Sequence, residues 1–357
     1  MFTALPFSHL FMCIMGFGTL LSLSSTHWLS IWAGLEINLI GFLPLLVYQK
    51  GISESESAMK YFIVQALGSS FIIFGSLVAF SLSFSWEVCS NIDYSFSGLC
   101  VLVMGLCIKL GVFPFYFWLP SVMAGLSWLS CFLLATWQKL APLFLLISLL
   151  KVNQETLMLT GLCFVTAGSA LVGGLGGINQ TQLRPLLAYS SIGHLGWMIY
   201  AALYSEWVFK WYLLIYILIS FSIFMSLWLV NLKSMKNMNN LEKFGIVVYY
   251  NIMVLLLSLG GLPPLLGFVS KWLVMQTAIN NSLSFVLFFL IMGSLLSLYY
   301  YLNLFFSIFL ILVKKESIWK YYEMMSMMKP VYILIMIMIM NIFGGLLILK
   351  LDLLATF

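Results

Sequence analysis

Five residues of this chain carry side chains that could exchange a proton from within apolar sequence: Glu36, Lys109, Lys139, His194 and Lys271. A charged side chain at bilayer depth costs about 2.5–3.5 kcal/mol on insertion scales, which makes each a functional-site hypothesis by default. Lys109 and Lys139 sit in segments otherwise apolar for about twenty residues, the length that crosses a bilayer. Each precedes a proline, in Lys109-Leu110-Gly111-Val112-Phe113-Pro114 and in Lys139-Leu140-Ala141-Pro142. Proline removes a backbone donor and clashes with the preceding turn, so both helices are predicted to kink or break there. Buried ionisable groups at broken helices are how transporters build ion pathways. Moving a carboxylate such as Glu36 toward or away from a buried ammonium changes how firmly the ammonium holds its proton, which is the chemistry of a relay. The competing readings are two static ion pairs, or snorkelling to the headgroups. Snorkelling is hard for Lys109 and Lys139; static pairing stays open. His194, mid-span among small residues, either passes protons or is a hydrogen-bonded core histidine.

The elements that hold these residues follow from composition. Of 357 residues, 63% are hydrophobic and 8% charged, against about 25% charged in a soluble domain. An all-α polytopic membrane protein is expected. The net charge of +5 is spread over loops, so no basic patch argues for nucleic acid. The six cysteines (13, 89, 100, 107, 131, 163) show no CxxC spacing, and four lie in apolar runs; they read as small buried hydrophobes rather than metal ligands or disulfides. Gly173 to Gly177 fails the GxGxxG spacing because Asn179 stands where the last glycine belongs, which leaves close helix packing or a turn. Asn179-Gln180-Thr181 matches a glycosylation sequon but falls on the predicted inner side. No Lys or Arg precedes Lys50, which argues against a signal or transit peptide and predicts synthesis inside an organelle or a bacterium. The Met-rich run Ile333–Met340 fits a mitochondrial code with extra Met codons.

Apolar segments predict about eleven spans, at about 4–23, 27–48, 58–84, 97–119, 123–149, 156–178, 185–204, 207–231, 245–278, 283–312 and 330–349. An odd number puts the termini on opposite sides. Lys50, Lys60, Arg184, Lys233, Lys236, Lys243, Lys314, Lys315, Lys320 and Lys329 then share the N-terminal side, against Lys151, Lys210 and Lys350 on the other. The positive-inside rule places the N-terminus in the matrix or cytoplasm. Leu110-Gly111-x-x-Pro114 recurs as Leu259-Gly260-x-x-Pro263, an offset of 149 residues. Each broken span is fourth of five, which predicts two inverted five-helix repeats, 1–150 and 151–312, followed by a loop and C-terminal helix at 313–357.

Taken together, Trp32 to Asn38, Lys60-Tyr61-Phe62 with Gln65-Ala66, Lys109 to Trp118, Thr136 to Pro142, Gly176 to Arg184, Ala188 to Trp197 and Ser258 to Trp272 resemble one family. It is subunit 2 of mitochondrial NADH:ubiquinone oxidoreductase, respiratory complex I, an antiporter-like membrane-arm subunit. The likeness spans most of residues 1–310. It implies a proton-translocating subunit that moves protons from matrix to intermembrane space across the mitochondrial inner membrane. It implies no cofactor on this chain: NADH, FMN, iron–sulfur clusters and ubiquinone would be used elsewhere in the complex. Partners would be the other membrane-arm and accessory subunits and inner-membrane lipids. By resemblance, Glu36 and Lys109 are the carboxylate–lysine pair of the first half-channel, Lys139 is the central lysine, and Lys271 the lysine of the second broken helix. Tyr116, Ser121 and Asn303 depart from a histidine, an acid and an arginine common in the family. The alternatives are a stand-alone cation/proton antiporter and a structural or assembly subunit with static pairs.

Overall fold

In lipid, each backbone N–H and C=O must be satisfied within its own segment, so apolar runs of this length become helices. The structure, a computed structural model, describes residues 7–47, 51–83, 86–87, 96–152, 156–230, 246–279, 285–316, 338–339 and 341–344. Helices α1 (Ser8–Ser24), α2 (Trp28–Val47), α3 (Ile52–Ser83), α4 (Phe96–Leu110), α5 (Trp118–Gly125), α6 (Trp128–Ala135) and α7 (Trp137–Val152) come first. They are followed by α8 (Thr156–Ile178), α9 (Leu183–Tyr204), α10 (Glu206–Val230), α11 (Ile246–Gly260), α12 (Leu266–Ile279) and α13 (Phe285–Glu316). Among the described residues seven helical stretches are long and apolar enough to cross a membrane, and Ser8–Ser24, Phe96–Leu110 and Tyr250–Gly260 are shorter apolar helices. The chain is an integral membrane protein of all-α architecture. Each of the first ten predicted spans is met by a helix or a broken pair of helices. The eleventh lies outside the described residues except for 338–339 and 341–344. So do Lys233, Lys236, Lys243, Lys320, Lys329 and Lys350.

The chain divides into two compact units, Met1–Val165 and Thr166–Phe357. In the first, α1 packs along α2, α3 along α4 and α5, and α7 against α1 and α4. In the second, α10 packs on α9, α11 and α12, and α13 on α9 and α11.

Each unit contains one break of the same construction. Helix α4 stops where Gly111 takes φ +71°, with its N–H on the carbonyl of Ile108 and the Val112 N–H on Cys107. Helix α11 stops where Gly261 takes φ +82°, with its N–H on Ser258 and the Leu262 N–H on Leu257. This is the Schellman arrangement, and its left-handed residue is glycine because any Cβ would crowd the following carbonyl. Cis peptides follow at Phe113–Pro114 and Pro263–Pro264. The structural register is therefore Gly111 on Gly261, an offset of 150 residues, not the 149 that the spelled match suggested.

Three other expectations change. Gly111, not Pro114, ends α4. Pro142 sits inside α7 without ending it; the interruption falls before Lys139, at Thr136 (φ −117°, ψ −69°). There the Lys139 N–H turns back to the Thr136 carbonyl and the Thr136 hydroxyl bonds Phe132 O at 2.7 Å. Helix α3 begins at Ile52, six residues before the predicted start of the third span at 58, and the exposed Glu56–Lys60 pair (2.6 Å) adds i,i+4 support to its first turns. Of the two readings of Gly173–Gly177, close helix packing holds: the run forms the last turns of α8, and a Cβ at Gly173 would meet Gly193 N at 2.6 Å.

Candidate functional site

In the first unit, Lys109 is 6% exposed and occupies the last turn of α4, where the carbonyl end of the helix dipole favours a cation. Its stem fits only because residue 68 of α3 is glycine: a Cβ there would come within 2.8 Å of Lys109 Cγ. The carbonyls left open by the break find donors. Trp118 Nε1 donates to Ile108 O (3.2 Å), and Gln65 Nε2 to Lys109 O (3.3 Å). Glu36, on α2, is half-buried, and its Oε1 is buried with no hydrogen-bond partner. Among the described residues no ion pair closer than 4 Å joins Glu36 to Lys109. Lys139 is 4% exposed on α7. Its neighbour Gln138 exchanges amide hydrogen bonds with Asn38, two residues after Glu36: Asn38 Nδ2 to Oε1 at 2.9 Å, and Nε2 to Asn38 Oδ1 at 3.2 Å. The Tyr61 hydroxyl donates to the same Gln138 Oε1 (3.3 Å). An uncharged polar brace thus ties the Glu36 helix to the Lys139 helix.

In the second unit, Lys271 is buried on α12 and its Nζ donates to Gly260 O at 2.9 Å, across the break. His194, on α9, holds Tyr212 of α10 through Nδ1 at 2.9 Å. Lys271 and His194 line one cavity of about 10 Å³, together with Ser190, Ser297, Tyr300 and Tyr301. That is about the room one water needs. These groups can store a proton on nitrogen and pass it along hydroxyls. Among the described residues no cluster of His, Cys, Asp or Glu suits a metal.

The family profile described as NADH:quinone oxidoreductase/Mrp antiporter, transmembrane, matches residues 25–297. The chain is 38% identical over 310 residues to NADH-ubiquinone oxidoreductase chain 2 of Locusta migratoria, covering 87% of each. To the protein of that name from Lumbricus terrestris it is 40% identical over 290 residues, 81% of this chain and 83% of the other. This chain belongs to the NADH:quinone oxidoreductase/Mrp antiporter family. It also superimposes on a chain of respiratory complex I from Thermus thermophilus with bound aureothin. There the TM-score is 0.79 and the identity 26%, over 96% of this chain and 79% of that one. The Mrp complex from Dietzia sp. DQ12-45-1b shares the fold at TM-score 0.74 and 16% identity, over 83% of this chain and 59% of that one.

All five candidate residues lie within the stretch matched by the antiporter-family profile. The structure gathers Glu36, Lys109 and Lys139 in the first unit, and Lys271 with His194 in the second. Of the three departures, Tyr116 stacks on Phe117 (4.1 Å between centroids), Ser121 bonds back to Trp118 O (2.9 Å), and Asn303 is exposed. The residues that sequence reasoning left without a role are uncharged: Asn38, Gln138, Tyr61, Gln65, Tyr300 and Tyr301. Asn251 joins them, fully buried on α11 with neither amide atom bonded. A polar amide inside an apolar span, next to a charge in two cases, was the available signal.

Proposed function

We propose that this chain is a proton-translocating membrane-arm subunit of respiratory NADH:ubiquinone oxidoreductase. The carrying observation is 38–40% identity to proteins named NADH-ubiquinone oxidoreductase chain 2 over more than four-fifths of both chains. Redox chemistry resides in other subunits, which bring NADH, FMN, iron–sulfur clusters and ubiquinone. This chain supplies a path from matrix to intermembrane space in the mitochondrial inner membrane, with its N-terminus in the matrix, built from the repeats 1–150 and 151–312.

Glu36, Lys109, Lys139, His194 and Lys271 carry the proton. What favours a relay over static pairing is that Glu36 stands outside ion-pair distance of Lys109, while Lys271 spends its ammonium on a carbonyl rather than a carboxylate. A buried carboxylate oxygen with no donor is costly, and the cost falls when Lys109 approaches. That difference makes the pair switchable. Moving a charge across 100 mV takes about 2.3 kcal/mol, within reach of making and breaking such a contact.

The test is the complex purified in mild detergent and reconstituted. The chain is expected to co-purify with flavin and iron; isolation alone or in a small complex without them would favour a stand-alone antiporter. Lys139→Met should leave assembly on native gels intact and lower pumping per NADH oxidised by about tenfold or more. Near-normal pumping from an assembled Lys139→Met complex would remove Lys139 from the path.

A further inference from the structure

Helix α12 begins just after the second break, where its first N–H groups have no carbonyl of their own helix to bond. Within a bilayer no water stands in for the missing acceptor, so the protein must supply one. The Phe268 N–H turns to Leu265 O at 3.0 Å, a local solution. The Leu266 N–H is answered from 75 residues away: it donates to Asn341 Oδ1 at 3.4 Å. Asn341 belongs to the helical stretch 341–344 of the eleventh predicted span and is 3% exposed. One turn on, a Cβ at Gly344 would meet Leu266 Cδ2 at 3.2 Å. Residues three apart share a helix face, so one face of that stretch meets Leu266 through both its backbone and its side chain. The next residue, Gly267, lies against the end of α11, where a Cβ would overlap the Ser258 carbonyl oxygen. Two elements therefore grip the first turn of α12. In the first unit the counterparts of Leu266 and Gly267 are Tyr116 and Phe117, and Phe117 is 72% exposed with its ring stacked on Tyr116.

We propose that Asn341 is a positioning residue for Lys271: capping α12 from the eleventh span, it fixes the helix whose ammonium must reach Gly260 O. An oxygen acceptor at the first turn is what an N-cap residue supplies, and here a distant segment supplies it. Burying an amide in an apolar run is unfavourable unless it is bonded. The Asn341 Nδ2 has no partner, so among the described residues the Leu266 bond is what answers for that burial. Lys271 stands five residues after Leu266, about a turn and a half along the same helix. A shift in the first turn is thereby passed to the ammonium and to its 2.9 Å bond with Gly260 O. Asn341 acts through α12 and not on the proton. The inference rests on the proton-translocating reading above and gives a role to a segment beyond the stretch matched by the family profile.

The experiment uses the reconstituted complex with Asn341→Leu, which keeps the size of the side chain and removes the acceptor. Pumping per NADH is expected to fall about tenfold, short of the hundredfold that a 1 Å misplacement of a reacting group can cost. Asn341→Asp keeps the acceptor oxygen and suits a helix N-terminus, so it should pump within about twofold of the unaltered complex. An aspartate that pumps as poorly as the leucine would overturn the proposal. The second readout is a double-mutant cycle with Lys271→Met on melting of the assembled complex. If Asn341 holds Lys271 on its carbonyl, the combined shift should be smaller than the sum of the two single shifts. A cap with a merely structural role would give the full sum, and that result also overturns the proposal. If Lys271→Met loses pumping while Asn341→Leu pumps within about twofold of the unaltered complex, the proposal falls and the relay reading stands. If Lys271→Met pumps normally, both fall. Should Asn341→Leu fail to assemble, Asn341→Ser replaces it, because a serine hydroxyl bonds a carbonyl of its own preceding turn and leaves no buried orphan. The same loss of pumping is expected of it, and pumping within about twofold of the unaltered complex overturns the proposal.

Discussion

The two broken helices share a backbone and divide their side chains differently. In the first, the lysine stands before the break, at Lys109; in the second it stands after it, at Lys271. At the 150-residue register, the counterpart of Lys109 is Leu259, that of Ser121 is Lys271, and that of Trp118 is Phe268. Ending a helix leaves carbonyls without intrahelical donors, and each unit solves this with what it has. The first uses an indole and an amide, Trp118 Nε1 and Gln65 Nε2. In the second, position 268 offers no donor, and the Lys271 ammonium bonds Gly260 O. Lys109 is thereby left to answer Glu36, whereas Lys271 is tied to a backbone carbonyl and the cavity beside it. A carboxylate can change its charge or distance, and a carbonyl cannot change its charge. On the proposed relay, the first break would be set by a moving partner and the second by what exchanges with the lysine in its cavity.

The widest separation should come from removing each lysine. Lys109→Met leaves Trp118 and Gln65 capping the end of α4, so assembly and melting temperature should hold while pumping is lost. Lys271→Met removes both the proposed proton carrier and the cap of Gly260 O, adding a destabilisation of about 1.5–3 kcal/mol for a lost charge-assisted bond. Lys271→Arg should recover much of that stability but not the pumping, because arginine keeps its donors and does not give up its proton. Thermal melts of the assembled complex, read beside pumping per NADH, check both arms. Equal destabilisation by Lys109→Met and Lys271→Met would break the comparison.

How much of this could be read from the residues differs by kind. Glu36, Lys109, Lys139 and Lys271 stand out because a charge among apolar residues has few innocent explanations. The helices of the first ten spans follow from length and hydropathy alone. The register did not, since Gly260-Gly261 offers two glycines and only the backbone shows which takes the positive φ. Nor did the interruption at Thr136, where a β-branched residue bonds its own preceding turn while Pro142, the stronger local signal for a break, stays inside α7. The Asn38–Gln138 brace joins residues 100 apart, and no local pattern could pair them. The cavity depends on where α9, α12 and α13 meet, which is tertiary information.

A smaller effect should come from the two glycines. Placing alanine at either positive φ costs about 1–2 kcal/mol. At Gly111 the new Cβ meets Leu119 Cδ1 at 3.1 Å and the Trp118 ring at 3.2 Å; at Gly261 it meets Lys271 Nζ at 2.9 Å. Gly111→Ala should therefore register chiefly as lost thermal stability. Gly261→Ala should lose a comparable amount and also depress pumping, because it pushes the ammonium off Gly260 O. Pumping depressed equally in both would mean that the second lysine is no more bound to its break than the first.

The smallest effect tests the indole. Trp118→Phe copies Phe268 into the first unit and removes the N–H that reaches Ile108 O. A net loss of about 0.5–1.5 kcal/mol is expected for one neutral hydrogen bond. The lower end applies, because Ile108 O still accepts the Gly111 N–H at 3.2 Å. The reverse change carries more information. At the 150-residue register an indole at 268 meets Ser258 O, the counterpart of Ile108 O, and not the Gly260 O that Lys271 caps. Phe268→Trp should therefore be nearly neutral by itself, because Ser258 O already accepts the Gly261 N–H at 3.1 Å. In a Lys271→Met background it should restore none of the lost stability, while leaving pumping absent. The coupling is read as a double-mutant cycle on melting of the assembled complex. A coupling well above zero would mean that the two caps are interchangeable, so that Lys271 closes the second break as the indole closes the first.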